Sequence, residues 1–233
     1  MRNGDKESGT WEEIFGQGPH TDEIFMAWYY SQFTNTLVEA GKAIYPLPMF
    51  VNAALNRPGW LPWRYPSAGP LPHLMDVWKA GAPAIDFLSP DIYFPNIKHW
   101  ADLYTRQGNP LFIPETGMWG GAARALFVFG HYEALGFSPF SIESAADPEN
   151  EPLGKAYHLI DQLTPLIAAH HGQHKIEGML FDKNSREHIF QLGNYEFTAK
   201  HNFTYLSKRL STSVIERKLT TSPAFRFCSS RPS

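Results

Sequence analysis

Hydrophobic positions in this chain recur first at helical spacing and then in short continuous runs. Between Thr21 and Gly41 the apolar residues lie three or four positions apart, with Thr21 and Asp22 as start signals and Gly41 as a stop signal. The pattern predicts an amphipathic helix with these apolar positions: Ile24, Phe25, Trp28, Tyr29, Phe33, Leu37 and Val38.

Four short apolar runs follow, and each is typical of a buried strand. They occupy residues 47–55, 84–93, 111–115 and 136–142. Helical patterns lie between and after them, at residues 73–81, 96–107, 121–135 and 152–171. Strict alternation of strand and helix from residue 21 to residue 171 indicates βα units on a parallel sheet, an α/β fold class.

The pattern changes near residue 173. Residues 175–182 and 187–193 alternate like strands, and residues 183–186 between them are typical of a hairpin turn. From residue 211 onward, sustained periodicity ends and Ser, Thr and Arg are enriched. We therefore expect a β-rich segment followed by a disordered tail.

Composition narrows the classes of partner. The chain has 233 residues, 43% of them hydrophobic, and a formal net charge of -3, which fits a globular protein without the concentrated basic stripe of nucleic-acid or membrane binders. We therefore predict no nucleic-acid and no membrane partner. Aromatic residues make up 15% of the chain. That content suits either stacking on sugar rings or a well-packed core, and composition does not separate the two.

Several other kinds of site have no support. The single cysteine, Cys228, excludes an internal disulfide framework, and no apolar run approaches the roughly 20 residues of a membrane span. Residues 1–8 carry no secretory signal, so the localisation stays unassigned, with the cytoplasm as default. No phosphate-binding glycine loop occurs, and no cofactor is predicted. His170, His171 and His174 suggest a metal site, but histidines also complement the dipole at a helix C-terminus; we predict no metal.

The segment 110–117, PLFIPETG, delivers one carboxylate at the end of an apolar run. Residues at the carboxyl ends of parallel strands line the active-site face of α/β barrels. A carboxylate there must be held by hydrogen bonds or cations, or used for its proton affinity. Glu115 is therefore the first candidate for chemistry, the alternative being a surface Glu that starts a loop.

The residues at the four strand ends form a recognisable set when taken together. SPDIYFP contains Asp91 and Tyr93, FIPETG contains Glu115, and GFSPFSIE ends at Glu143. In this order they resemble the second half of a retaining TIM-barrel glycoside hydrolase, most closely the β-galactosidase-like families 35 and 42. The resemblance implies a partial (β/α)8 barrel, equivalent to strands 5–8, with four segments: an N-terminal loop at 1–20, the half barrel at 21–172, a β-rich segment at 173–210 and a tail at 211–233.

The resemblance also implies roles for particular residues. Glu115 would be the nucleophile of a β-galactosidase-like enzyme, and Tyr93 would hydrogen-bond and orient it; the alternative for Tyr93 is a partly buried strand-end tyrosine. Glu143 would bind a sugar hydroxyl or, as we favour, be an exposed loop residue. Asp91 is expected to be a structural carboxylate that caps a loop rather than a catalytic one.

Substrate binding is expected from the residues around these strand ends. Asn52 and Trp119 are candidates for hydroxyl contacts and ring stacking. Trp60 and Trp63, on the Pro- and Gly-rich loop at 56–66, are candidates for an aromatic platform under a carbohydrate substrate. Packing is the alternative for each.

Retaining hydrolysis needs two carboxyl groups about 5 to 5.5 Å apart, and Glu115 supplies one. By resemblance the acid/base would be a Glu after strand 4, yet Glu7, Glu12 and Glu13 follow no apolar strand. We therefore expect a truncated barrel, and as an alternative a catalytically incompetent module that only binds sugar or assembles. The open sheet edges of a truncated barrel would favour aggregation or a homo-oligomer. Inward side chains would be exposed, including Phe50, Ile85, Phe87, Phe112 and Phe140.

Overall fold

A computed structural model describes residues 8–181, 186–201 and 213–219. The protein contains a four-stranded parallel sheet in the order β1-β2-β3-β4 and a three-stranded antiparallel sheet in the order β5-β6-β7, so the predicted α/β class is confirmed. The helices are α1 (Trp11–Phe15), α2 (Pro19–Ile44), α3 (Met75–Gly81), α4 (Ile97–Tyr104), α5 (Gly121–His131) and α6 (Pro152–His170). The strands are β1 (Phe50–Ala54), β2 (Phe87–Ile92), β3 (Phe112–Thr116), β4 (Gly136–Pro139), β5 (Glu187–Leu192), β6 (Tyr195–His201) and β7 (Ser213–Leu219).

One face of the parallel sheet is buried under the helices that connect its strands. Leu88, Ile92 and Ile113 of the strands pack there with Trp78, Trp100 and Val128 of α3, α4 and α5, all within one buried cluster. Asn109 helps to fix β2, since its side chain accepts from the Leu88 N–H at 3.0 Å and donates to the Leu88 carbonyl at 2.9 Å. The apolar runs of the sequence thus became the strands of one layered core.

The opposite face of the parallel sheet is open. In β1 the exposed residues alternate with more buried ones, and Phe50, Asn52 and Ala54 face outward from the helix layer. The rings of Phe50, Phe87 and Phe112 contact one another on this face, with centroids 4.8 to 5.9 Å apart. Phe112 also covers Gly136, where a Cβ would lie 2.5 Å from its ring. Of the inward side chains expected to be exposed, Phe50 (40%) and Phe140 (61%) are exposed, whereas Ile85, Phe87 and Phe112 are half-buried.

An irregularity in β3 decides which way Glu115 points. The register between β3 and β4 shifts between Ile113 and Thr116, so that three steps along β3 match two steps along β4. Ile113 and Thr116 are both completely buried although they lie three residues apart. This bulge places Glu115 on the open face with Phe112, whereas unbroken alternation would turn it into the helix layer.

Helix α2 differs from its predicted amphipathic form. It extends from Pro19 to Ile44, and Gly41 does not stop it but makes room for Met49, whose Cε would lie 2.8 Å from a Cβ at that position. The buried positions of α2 are largely small or polar, and several predicted apolar positions face solvent instead. The buried residues are Thr21, Glu23, Ala27, Ser31 and Val38, and the exposed ones include Phe25, Tyr29, Phe33 and Leu37.

The β-rich segment forms, but its hairpin lies elsewhere. Residues 175–181 are not a strand, and β5 pairs instead with β6 across a turn at Gly193 and Asn194. Gly193 has φ 58°, the left-handed conformation that two-residue hairpin turns require. The predicted turn at 183–186 lies largely outside the described residues. Disorder was predicted wrongly for residues 213–219, which form β7 because their backbone pairs with β6; the rest of the predicted tail lies outside the described residues.

The N-terminal segment, predicted as a loop, contains α1. Thr10 caps this helix, and the side chain of Glu13 accepts a hydrogen bond from the Thr10 N–H at 2.9 Å. Glu12 and Glu13 therefore belong to a short helix rather than to a strand end, and Glu7 lies outside the described residues. None of the helices in the described part of the chain is long and apolar enough to cross a bilayer.

Candidate active site

Glu115 and Tyr93 meet at the carboxyl ends of two neighbouring strands. The Tyr93 hydroxyl donates a hydrogen bond of 2.6 Å to Oε1 of Glu115. Burial raises the pKa of Tyr93 to about 12, and the hydrogen bond to Glu115 and the charges of Glu115 and Asp91 add to that shift. The phenol therefore keeps its proton at neutral pH and remains a donor to the carboxylate. The structure thus contains the contact that the resemblance implies, while the catalytic roles of both residues stay predictions.

A second carboxylate, Asp91, lies beside Glu115 in the sheet. Asp91 of β2 and Glu115 of β3 are register partners, and Asp91 is only 9% exposed. The amide nitrogen of Asn52 donates to both of its carboxylate oxygens, at 2.8 and 2.9 Å. Burial raises the pKa of Asp91, the hydrogen bonds from Asn52 oppose this shift, and the charge of Glu115 adds to it. Asp91 is therefore a strand-end carboxylate bound to Asn52 rather than a loop cap.

The Asn52–Asp91 pair gives the open face a polar layer above its aromatic one. Asn52 is the register partner of Ser89, whose hydroxyl is buried and finds no hydrogen-bond partner among the described residues. The buried polar residues of β2, Ser89 and Asp91, thus lie on the side of the sheet that also holds Asn52 and Glu115. The sequence singled out Asn52 but gave no sign that it would bind Asp91, because the contact spans 39 residues.

Trp119 lies in the loop directly after β3, four residues beyond Glu115. Its ring is 50% exposed, and the guanidinium of Arg124 stacks on it with the Cζ atom 3.5 Å from the ring centroid. Arg124 is 4% exposed and also donates to the carbonyls of Phe94 and Pro95, at 3.3 and 3.0 Å. Sequence analysis missed Arg124, although a cation among the apolar residues of α5 was a signal. One face of the indole is thus covered by Arg124.

Trp60 and Trp63 lie on the loop after β1, at the same edge of the sheet. Their side chains are 53% and 54% exposed, and the guanidinium of Arg57 lies 5.3 Å from the ring of Trp60. Trp63 has φ 74°, and its N–H donates to the Ser67 hydroxyl at 2.8 Å. The loop is therefore ordered by local contacts while the two rings remain exposed.

A buried carboxylate anchors the far end of this loop. Glu23 of α2 accepts hydrogen bonds from the Tyr65 hydroxyl at 3.2 Å and the Ala68 N–H at 3.3 Å, and its Oε2 lies 2.8 Å from Nε2 of His73. Glu23 is 1% exposed, so these partners replace its lost hydration. The sequence gave no clear signal for this network, since Glu23 has the pattern of an ordinary helix residue and its partners lie 42 to 50 residues away along the chain.

Two other predicted features, Glu143 and the histidines at the end of α6, lie on the segments that follow β4. Glu143 is exposed, as we favoured, and it lies in the short 3-10 helix Ile142–Ser144 after β4. His170 and His171 end α6 and begin the turn that contains His174, and His171 lies 3.2 Å from the Glu133 carbonyl. In residues 8–181, 186–201 and 213–219, no group of three or more His, Cys, Asp or Glu side chains is arranged to hold a metal ion.

Comparisons with known proteins concern a different part of the chain. Residues 153–224 match a family described as Domain of unknown function (DUF5597). The match covers α6 and the antiparallel sheet, and it excludes the residues around Glu115. None of the curated proteins searched matches the chain. The candidate site is therefore interpreted from its own geometry.

Proposed function

We propose that this chain is part of a retaining glycosidase that acts on β-galactosides or related oligosaccharides, with Glu115 as nucleophile. The parallel sheet would be the second half of a TIM barrel, in which the open face is the barrel interior. The hydrogen bond from Tyr93 to Glu115 carries this proposal, because it fixes one carboxylate oxygen and leaves the other available for attack on an anomeric carbon.

The surroundings of Glu115 support carbohydrate as the substrate. Exposed indoles on the loops after β1 and β3 offer flat faces for sugar rings, and Asn52 offers an amide on the same open face. No cofactor enters the proposed chemistry, since glycosyl transfer to a carboxylate needs only a nucleophile and proton transfer.

Retaining hydrolysis also needs an acid/base carboxyl group, which the resemblance assigns to a Glu after strand 4. Asp91 does not take over this role. Both Asp91 oxygens accept hydrogen bonds from Asn52, so neither is free to protonate a leaving group without breaking that pair. Among the described residues, the chain thus has no acid/base in the carboxylate that neighbours Glu115 in the sheet. Its nucleophile should therefore work only on substrates whose leaving group needs no protonation.

The test uses a galactoside with a highly acidic leaving group. With 2,4-dinitrophenyl β-galactoside, the chain should release about one equivalent of dinitrophenolate and retain a galactosyl group on the peptide that contains Glu115. Phenyl β-galactoside should give almost no product. Glu115→Gln should form no adduct, and Glu149→Gln, a matched change of an exposed Glu in the segment after β4, should react like the native chain. An adduct on another residue, or an unchanged burst in Glu115→Gln, would remove Glu115 from the mechanism.

A second candidate function is sugar binding without turnover. The Asn52–Asp91 pair favours it, because a carboxylate held on both oxygens is suited to hold sugar hydroxyls rather than to transfer protons. In that case calorimetry should detect binding of galacto-oligosaccharides while the dinitrophenyl substrate leaves no adduct. The absence of both binding and adduct would contradict both functions.

A further inference from the structure

The outward face of α2 has an unusual composition for a helix in contact with water. Phe25, Tyr29, Phe33 and Leu37 repeat every four residues along it, and their side chains are 38% to 65% exposed. Residues spaced by four form one continuous ridge on a helix. From Ile24 to Val38 the sequence contains no Asp, Glu, Lys or Arg. The outward ridge is therefore both apolar and uncharged.

The same helix is also buried on its inner side. Ala27 and Val38 pack into the core, and Ser31 is completely buried against Gly81 of α3. A surface helix normally carries polar side chains opposite its buried side, whereas α2 carries the apolar ridge there. The composition of α2 thus predicts a second packing partner.

The apolar surface continues beyond the helix to the edge of the sheet. Ile44, Tyr45 and Leu47, in the link from α2 to β1, are 88%, 66% and 50% exposed. Strand β1 is an end strand of the parallel sheet. We call the ridge on α2, this link and the outer edge of β1 the α2–β1 surface.

The size of the α2–β1 surface is that of a protein interface. A large apolar side chain presents about 200 Å² when fully exposed, so these seven side chains together expose on the order of 800 Å². The largest apolar patch of a typical monomer is about 300–600 Å², and a standard interface buries about 800 Å² on each partner.

We propose that the α2–β1 surface is the interface of a symmetric homodimer, in which α2 packs against α2 of a second copy and the two β1 edges meet. This inference does not depend on the chemistry of Glu115, and at the β1 edge it is an alternative to a closed barrel, because another barrel strand would occupy the same edge. It leaves the open face of each sheet accessible to a substrate.

A second copy fits this surface for three reasons. The ridge is uncharged, so a contact of the surface with itself brings no like charges together. Ridges formed by every fourth residue pack into the grooves of an identical antiparallel helix, and a twofold axis generates that arrangement. The same axis makes the two β1 strands antiparallel, which satisfies edge backbone groups.

The test is the mass of the chain in solution, by sedimentation velocity and light scattering over a range of concentrations. The native chain should have twice the mass of a monomer. The variant Phe33→Glu/Leu37→Glu should be monomeric, with dimerisation weakened by about a hundredfold or more, because each buried carboxylate lacks a partner. Both positions are more than half exposed, so the monomer fold should survive, as circular dichroism would check.

The matched control places the same two charges at the opposite edge. Leu135 and Leu159, beside β4 and on α6, are 51% and 43% exposed, and Leu135→Glu/Leu159→Glu should remain a dimer. If the Glu variant at positions 33 and 37 fails to fold, Phe33→Gln/Leu37→Gln provides the same comparison without charge. A monomeric native chain, an open-ended aggregate, or an assembly that the control variant also dissociates would overturn the proposal. The last result would indicate closure through both sheet edges.

Discussion

The Tyr93 hydroxyl lies 2.6 Å from Oε1 of Glu115, across the ends of two adjacent parallel strands. Neither residue would reach the other in a regular sheet in which Glu115 followed the alternation of Ile113 into the helix layer. The register shift in β3 turns Glu115 onto the open face, and the loop after β2 brings Tyr93 over it. A local irregularity of one strand therefore creates the central contact of the candidate site.

Replacing Tyr93 with Phe should slow transfer of galactose to Glu115. The change removes the hydroxyl donor and leaves Glu115 free to rotate, so the rate of dinitrophenolate release should fall about 10- to 100-fold. Because the ring is 44% exposed, the melting temperature should change little. Tyr45→Phe, at an exposed tyrosine outside the site, should keep the native rate. An unchanged rate in Tyr93→Phe would show that the hydrogen bond has no part in the reaction.

Replacing Trp60 or Trp63 with Ala should weaken oligosaccharide binding if these rings form a platform for sugar. Loss of one stacking face should reduce the binding free energy by roughly 1 to 3 kcal/mol, with little change in melting temperature, because both rings are already half exposed. Calorimetric titration measures the affinity, and thermal melting measures the stability. Native affinity combined with a lower melting temperature would instead favour packing as their role.

Replacing Asn109 with Ala should destabilise the fold. Asn109 is 6% exposed, and its amide group also donates to the Tyr104 carbonyl at 2.8 Å. Without it, the Leu88 N–H and the carbonyls of Leu88, Tyr104 and Pro110 each lose a hydrogen-bond partner, and the free energy of unfolding should fall by about 2 to 4 kcal/mol. Urea denaturation provides the measurement. Asn150→Ala, at an exposed position, should change it by less than about 0.5 kcal/mol. Equal effects of the two changes would contradict the role given to Asn109.

Asp86 should make stability depend on pH in the acid range. The hydrogen bond from Lys42, at 2.6 Å, and the one from the Met49 N–H, at 2.7 Å, lower the pKa of Asp86 below its ordinary value of 3.8. A lowered pKa in the folded state stabilises the protein above pH 3.8, and this stabilisation is lost as the pH falls through the lowered value. Asp86→Asn should therefore flatten the acid limb of a plot of unfolding free energy against pH. Lys42→Met should flatten it as well, and an unchanged limb in both would refute the assignment.

The order of elements in the parallel sheet could be predicted from the sequence because it rests on local information. Apolar runs bounded by Gly and Pro predict strands, and intervening helical periods predict the crossovers that make the strands parallel. The same runs showed that Glu115 ends a strand. Element ends were predicted less well, since capping and packing move them by a few residues, as at Pro19 and Ile44 of α2.

Contacts that cross the chain were decided only by the tertiary structure. The sequence predicted that residues 187–193 would pair with residues 175–182. In the structure β5 pairs instead with β6, which follows it across the turn at Gly193. The bond between Asn52 and Asp91 depended on the register of β1 with β2, which places Ala54 opposite Asp91. The apolar pattern of one strand indicates which face is buried, but which residue lies opposite which on the neighbouring strand depends on how the two strands pack.

The two sides of α2 show most clearly which properties the local sequence determines and which depend on the tertiary structure. The sequence by itself determined that Phe25, Tyr29, Phe33 and Leu37 lie on a helix, because their spacing is a local property. It did not determine that they face away from the core. That outcome depends on the close approach of α2 to α3, where Ser31 packs so closely against Gly81 that a Cβ at position 81 would clash with it. Burial is a property of the neighbours that surround a residue, and only the folded structure supplies them.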